Sequence, residues 1–463
     1  MKLLLFTTSL FALLFFASCV DSVNSSTDTT LSTDAQIKSF SFLAKDSISK
    51  NLDKVFFSIN QNDGLIQNFD SLPVSAGTNF AKYKYKFIKV KMEFAGASKV
   101  MIEYGPDLQF EYPKVDSIDF TRPVKIQVTA VDGKTIKSYE FKLNIHTQDP
   151  EVLDWKQVSF DGWNAIPFSD SKTVVFKGEF WTYLKSTNGY FLYTSATTDG
   201  AVWQSRTSAL FMPTNAEIET ITLFANKLYL RTSENLLISS SDGLNWSKLG
   251  GAAKNISAIY GSIVDQSAAN HLIVLTEENG VRRFASVSDA GDLTICGDAI
   301  IPDDFPVSGF ATINKIIGLT EKLTLIAGRD KNGNLLNSVQ QLYWDNSGFH
   351  CGYNMENGKN WFPVCESPNA YYYDSKMIVS CGRELTKENK NTYFSTNYGL
   401  SWAKDTTHLY PTAFVARANS SVVVDSKNYI WIFGGQNKFV NRPAAGINEI
   451  WRGRLNRLGF VRQ

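Results

Sequence analysis

Three dipeptides concentrate the chemistry this sequence can offer: Arg329-Asp330, Arg383-Glu384 and Gln436-Asn437. Each follows an apolar, strand-like run, and each run closes on glycine or the Cys381-Gly382 and Gly434-Gly435 pairs. Arginine presents a planar fork of donors that matches a carboxylate or a set of hydroxyls. Trp163, Arg206 and Tyr410 fall in neighbouring loops and could add stacking surface and a further cation. Arg329, Arg383, Gln436, Trp163 and Tyr410 are therefore the candidate binding residues, for a carboxylate- or hydroxyl-rich ligand such as a glycan. The competing reading makes Arg329-Asp330 and Arg383-Glu384 solvated pairs, or ion pairs between neighbouring structural units.

Other chemistries are poorly served. No GxSxG or P-loop signature occurs, and nothing matches a Ser-His-Asp arrangement. Asp330-Lys331-Asn332-Gly333-Asn334 opens like a calcium loop, but its glycine is fourth, and Gln341 stands where the twelfth-position Glu belongs. It reads as a hairpin-like loop. There is no CxxC pair, and His146, His271, His350 and His408 are scattered, so no metal or cofactor is expected. Cys351 and Cys365 are the best-spaced disulfide candidates in an exported chain, and Cys381 reads as a buried thiol.

The start of the chain argues for export. Lys2 precedes an apolar run from Leu3 to Phe16, which ends in Phe16-Ala17-Ser18-Cys19. Small residues before a cysteine resemble the lipobox of bacterial lipoproteins, although Phe16 replaces the usual Leu. The resemblance implies a signal peptide over 1–18, lipidation of Cys19 and a cell-envelope location on a membrane through the lipid. Residues 19–36 are rich in Ser, Thr and Asp and read as a flexible tether. The 463 residues carry 46 basic and 45 acidic groups. Loss of the leader removes Lys2 and leaves a neutral chain, which disfavours nucleic acid as a partner.

Residues 37–147 alternate with period two. Strands are expected at 37–43, 54–59, 83–94 and 100–104. Asp132-Gly133 between two alternating runs predicts a hairpin. Lys84, Lys86, Lys89 and Lys91 interleave with aromatics and read as a solvated face. The closing stretch "VTAVDGKTIKSYEFKLNI" resembles the last hairpin of immunoglobulin-like modules of Bacteroidetes envelope lipoproteins. Gln148-Asp149-Pro150-Glu151 reads as a linker.

From 151 onward a repeat dominates. Gly precedes Trp by three residues at Gly200/Trp203, Gly243/Trp246, Gly358/Trp361 and Gly399/Trp402. Trp203 and Trp246 lie 43 residues apart, and Trp361 and Trp402 lie 41 apart. Periods in the forties with strand patterning point to propeller blades. Six apolar second strands are predicted at 179–184, 227–230, 271–275, 323–327, 377–380 and 429–433. The stretch from Tyr429 to Phe460 resembles a kelch blade. "STNYGLSW" resembles the Asp-box of sialidase-like propellers, with Asn397 for Asp. That resemblance implies structural turns on the face opposite the binding loops. The Arg-Ile-Pro motif of those hydrolases is absent. The whole chain resembles an uncharacterised Bacteroides-type lipoprotein family. The expectation is an all-β chain, an immunoglobulin-like β-sandwich (37–147) followed by a six-bladed β-propeller (151–463). Its expected role is non-catalytic: binding a glycan, with a protein-interaction scaffold or a divergent glycoside hydrolase as alternatives.

Overall fold

The structure is a computed structural model and describes residues 30–45, 52–72, 85–146, 148–249, 255–288, 290–353, 362–380, 382–439 and 446–459. The expected signal peptide, Cys19, Trp361 and Cys381 lie outside the described residues. The chain forms two compact units, Met1–Asp149 and Pro150–Gln463.

The first unit is a two-sheet β domain. Ile37–Phe42, Ile88–Phe94 and Ser117–Ile118 form the smaller sheet. The larger runs in the order Phe57–Asn60, Leu65–Asn68, Ile136–Lys142, Val124–Thr129, Lys99–Glu103 and Gln109–Tyr112. Alternation drives the packing: Ile88, Val90 and Met92 are buried, while Lys89 and Lys91 point outward beside Asp116 and Glu93. Lys86, Lys89 and Lys91 are exposed, as their spacing suggested, and Lys84 lies outside the described residues. Phe40, Phe42, Phe57, Phe120 and Phe141 make one aromatic cluster in the core. Asp132 accepts the backbone N–H groups of Lys134 and Thr135 in the predicted hairpin turn. Two expectations shift. Leu65–Asn68 is a strand that the sequence reading passed over, paired in parallel with Ile136–Lys142. The expected tether also reaches into the domain, because Ala35 is buried in its core.

The second unit is a ring of six four-stranded sheets. Blade one is Asp170–Phe176, Glu179–Ser186, Gly189–Ala196 and Gln204–Ser205. Blade two is Ala216–Phe224, Lys227–Thr232, Leu237–Ser240 and Ser247–Lys248. Blade three is Ile256–Val264, Asn270–Glu278, Val281–Val287 and Leu293–Ile295. Blade four is Ala311–Ile317, Thr320–Arg329, Leu335–Asp345 and Gly348–Tyr353. Blade five is Asn369–Tyr373, Lys376–Ser380, Thr392–Ser395 and Ala403–Lys404. Blade six takes Ser421–Val424, Ile430–Phe433 and Ile450–Leu455 from the end of the chain, and Leu153–Val158 from the start of the unit as its outermost strand. Each blade's first strand packs beside the first strands of its neighbours, and blade six meets blade one, so the ring closes. All six predicted second strands are second strands here.

The glycine–tryptophan turns join third to fourth strands and hold adjacent blades together. Asp242 accepts the N–H groups of Leu244 and Asn245 and the hydroxyl of Ser240. Trp203 and Trp402 each donate their indole N–H to the turn glycine three residues earlier. Gly243 has φ +80°, and a Cβ there would sit 2.5 Å from the Trp181 ring of blade one. Gly200 stands in the same relation to Trp431 of blade six. Blade four differs, since its third and fourth strands join through a tight hairpin at Asp345–Gly348, well before Gly358. The long interval between Trp246 and Trp361 spans blade three, whose turn between Val281–Val287 and Leu293–Ile295 carries no tryptophan.

Cys351 and Cys365 are free thiols, so the disulfide expectation is corrected. Cys365 is buried in the core shared by blades four and five, whereas Cys351 lies on an exposed outer strand.

Gly243→Ala must place a methyl against Trp181 at positive φ. It is expected to cost about 2–3 kcal/mol in urea unfolding. Gly333→Ala shares the positive φ (+81°) but has open space around it, and is expected to cost only about 1 kcal/mol. Equal losses for the two would refute the blade-contact account.

Candidate functional site

In this ring the loops after second strands and the segments entering first strands share one face. Arg329, Arg383 and Gln436 occupy equivalent places on it in blades four, five and six. Each is antiparallel to the entering segment of its own blade: Ser308 with Arg329, Glu366 with Arg383, Ala418 with Gln436. The glycine before each is required by that crossing. A Cβ on Gly328 would lie 2.7 Å from the Ser308 carbonyl oxygen, and one on Gly382 would lie 2.3 Å from that of Ser367. The "Gly-Arg" signal in the sequence marks a backbone crossing.

The arginines are spent on the fold. Glu366 accepts from Arg329 Nε through one oxygen and from Arg383 Nη1 (2.8 Å) through the other. Arg383 also donates from Nε to Glu388 Oε1 (2.9 Å), which in turn accepts the backbone N–H of Lys438 in blade six. One chain of charge-assisted bonds therefore crosses three blades. Burial alone would raise the Glu366 carboxyl; the hydrogen bonds and charges of Arg329 and Arg383 outweigh it and hold the group below its ordinary range. Gln436 donates to Asp170 Oδ1 (2.9 Å), fastening blade six to blade one. The ion-pair reading of the two arginines is the one the geometry supports.

The aromatic candidates are core residues. Trp163 is fully buried against Phe160, Phe168 and Trp203. Tyr410 is stacked on Phe414 with ring centroids 4.2 Å apart, inside the core between blades five and six. Neither can offer a platform to a ligand, because the entering segments that carry them fold inward over the blade ends. Arg206 stays exposed, donating to Gln204 and Thr194 of its own blade. Asp330 accepts the backbone and side-chain N–H groups of Asn334, so the calcium-like segment is a self-bonded turn.

The charges left over lie where the first strands of blades one and two enter the ring. Ser171 and Thr173 are buried toward blade six: the Thr173 N–H donates to Ser421 Oγ (2.8 Å), and Ser171 packs against Gly434. Strand alternation then turns Lys172 toward blade two, where Glu219 stands. Among the described residues neither forms an ion pair. Lys172 is part-buried; Glu219 is exposed, although protein atoms crowd the space around it. Burial lowers the Lys172 ammonium, with the Glu219 charge opposing. Burial raises the Glu219 carboxyl, helped by the negative charges of Asp170 and Glu217 and opposed by its own backbone N–H and by Lys185. Opposed shifts of this kind, in a concave site, are what binding or proton-handling groups show. Sequence reading passed over both residues. Their signal was a charge inside a first-strand pattern, "DSKTVVF" and "AEIETITLF", where it alternates with buried residues.

Among the described residues no group of three or more His, Cys, Asp or Glu could hold a metal, and no helix is long and apolar enough to cross a membrane.

The Glu366 clamp yields a pH prediction. A carboxyl held low in the folded state stabilises the fold above its unfolded pKa of about 4.3, and that contribution is lost as pH falls through the lower folded value. Glu366→Gln is expected to cost about 2–3 kcal/mol at pH 7, with the gap to the unaltered chain narrowing below about pH 4. Denaturant unfolding at both pH values checks this; a constant gap contradicts the clamp.

Comparison with known proteins gives a fold and a family. No curated protein matches the chain. Among solved structures it is similar to "Structure of YjhT", at 12% identity and a TM-score of 0.42, over 62% of this chain and 94% of that one. A likeness that distant says nothing about ligand or activity. Residues 149–463 match the model described as the DUF6242 beta propeller domain, and residues 21–143 match the domain of unknown function (DUF6242) N-terminal domain. Together these cover most of the sequence, and the chain belongs to the DUF6242 family.

Proposed function

We propose that this chain is a lipid-anchored cell-envelope protein whose propeller binds a glycan at the entrance of its central channel. The leader-like run to Phe16 and the cysteine at 19 support the anchoring. The single observation carrying the binding role is the Lys172–Glu219 pair: opposite charges on adjacent first strands, close enough to feel one another and left without ion-pair partners. A part-buried ammonium without an ion-pair partner favours a ligand carboxylate or hydroxyl oxygen, and a carboxyl beside it favours hydroxyl donors. A glycan that carries a carboxylate supplies both.

The same cluster contains three carboxylates, Asp170, Glu217 and Glu219. That observation favours a second reading, a divergent glycoside hydrolase, which needs two carboxyl groups flanking a glycosidic bond. Our reading remains a non-catalytic binder, because Asp170 is tied to Gln436 and Glu217 to Arg231.

Lys172→Met separates function from fold. The ammonium is penalised by burial and unpaired, so its removal is expected to leave the melting temperature equal or higher. Binding of an acidic glycan identified on a glycan array should fall at least tenfold by calorimetry. Loss of stability together with unaltered binding would sink the proposal. Release of free sugar from the bound glycan would move the assignment to the hydrolase.

A further inference from the structure

A second concavity lies at the opposite ends of the blades, between blades three and four. It is a groove of about 500 Å³, within the range of small-molecule sites. Its blade-four wall is aromatic, formed by Trp344 and Phe349, whose ring centroids are 4.8 Å apart. The blade-three wall is polar. His271 leans on Trp344 at 4.9 Å, and its Nε2 lies 2.9 Å from Asp265 Oδ2. The His271 Nδ1 is buried and without a partner. Asp292 and Thr294, both exposed, add a carboxylate and a hydroxyl at the rim.

The walls are fixed relative to one another. Gln266 Nε2 donates to the Trp344 carbonyl (3.1 Å) across the blades, and Phe284 of blade three packs on Phe349 at 5.3 Å. The groove is thus formed before any ligand arrives, which spares the ordering cost of binding. Its charge excludes some occupants. Two carboxylates line it and no Lys or Arg does, so a sugar acid or a phosphate would meet repulsion with nothing to offset it. Thiol chemistry is also excluded, because burial pushes the Cys296 thiol up to about 11 and leaves it protonated.

We propose that the groove binds a neutral sugar ring. The apolar face of the ring lies on Trp344, and its hydroxyls meet Asp292 and Thr294 at the rim. The assignment is independent of the channel entrance and stands or falls without it.

The test is calorimetry of the full chain with maltose, cellobiose, lactose and N-acetylglucosamine, alongside glucuronate and glucosamine. At least one neutral sugar should bind with a dissociation constant below about 10 mM, and glucuronate should not displace it. Trp344→Ala should weaken binding at least tenfold. Thr294→Trp fills the groove from an exposed rim position and should do the same, so it decides the matter if Trp344→Ala does not fold. Lys172→Met should leave this binding unchanged. The proposal is overturned if no neutral sugar binds, if binding survives Thr294→Trp, if Lys172→Met abolishes it, or if glucosamine binds more tightly than every neutral sugar.

Discussion

Everything in the propeller depends on one closure. Six twisted sheets can bury their faces only against one another, and the last must meet the first. The chain achieves this by building blade six from both ends of the unit, with Leu153–Val158 paired in register to Ile450–Leu455. That single antiparallel ladder converts a row of blades into a ring. The first strands then stand close around an axis, and the channel entrance exists only because they do. Charges such as Lys172 and Glu219 are held unpaired there because the ring prevents their strands from moving apart or turning over.

Closure also decides how the remaining charge is used. Entering segments must cross over the ends of the second strands, and in blades four to six they do so over glycine. The residue after each glycine is then pressed between blades, where an unpaired polar group would cost several kcal/mol. Arg329, Arg383 and Gln436 meet that demand through Glu366, Glu388 and Asp170.

Much of the architecture was legible in the residues. Alternation, the recurring glycine–tryptophan spacing and the six apolar runs define the blades, because the turn glycine is dictated by contact with a neighbouring ring (Gly243 on Trp181) and cannot drift. Two strand-level details were hidden. Leu65–Asn68 pairs with Phe57–Asn60 in a short hairpin and in parallel with Ile136–Lys142, and four residues carry little pattern. Blade four shortens its last turn, which spacing alone cannot reveal. The site was less legible, for a physical reason. Residue type suggested ligand binding for arginine and tryptophan, but whether Trp163 stacks on a ligand or on Phe160 is a question of burial, and burial is set by how loops fold over blade ends. The charges in the first strands alternate with buried residues, so strand patterning alone does not single them out.

The shared construction of blade six also determines how the molecule bears load. Residues 148–152 lead directly into Leu153, the first residue of the outermost strand, so tension arriving from the N-terminal side is applied to the ladder between Leu153–Val158 and Ile450–Leu455. The blades behind it carry no force until that ladder yields. The ring's seam is thus the ladder that such tension meets: peeling one six-residue strand removes the pairing that closes blade six.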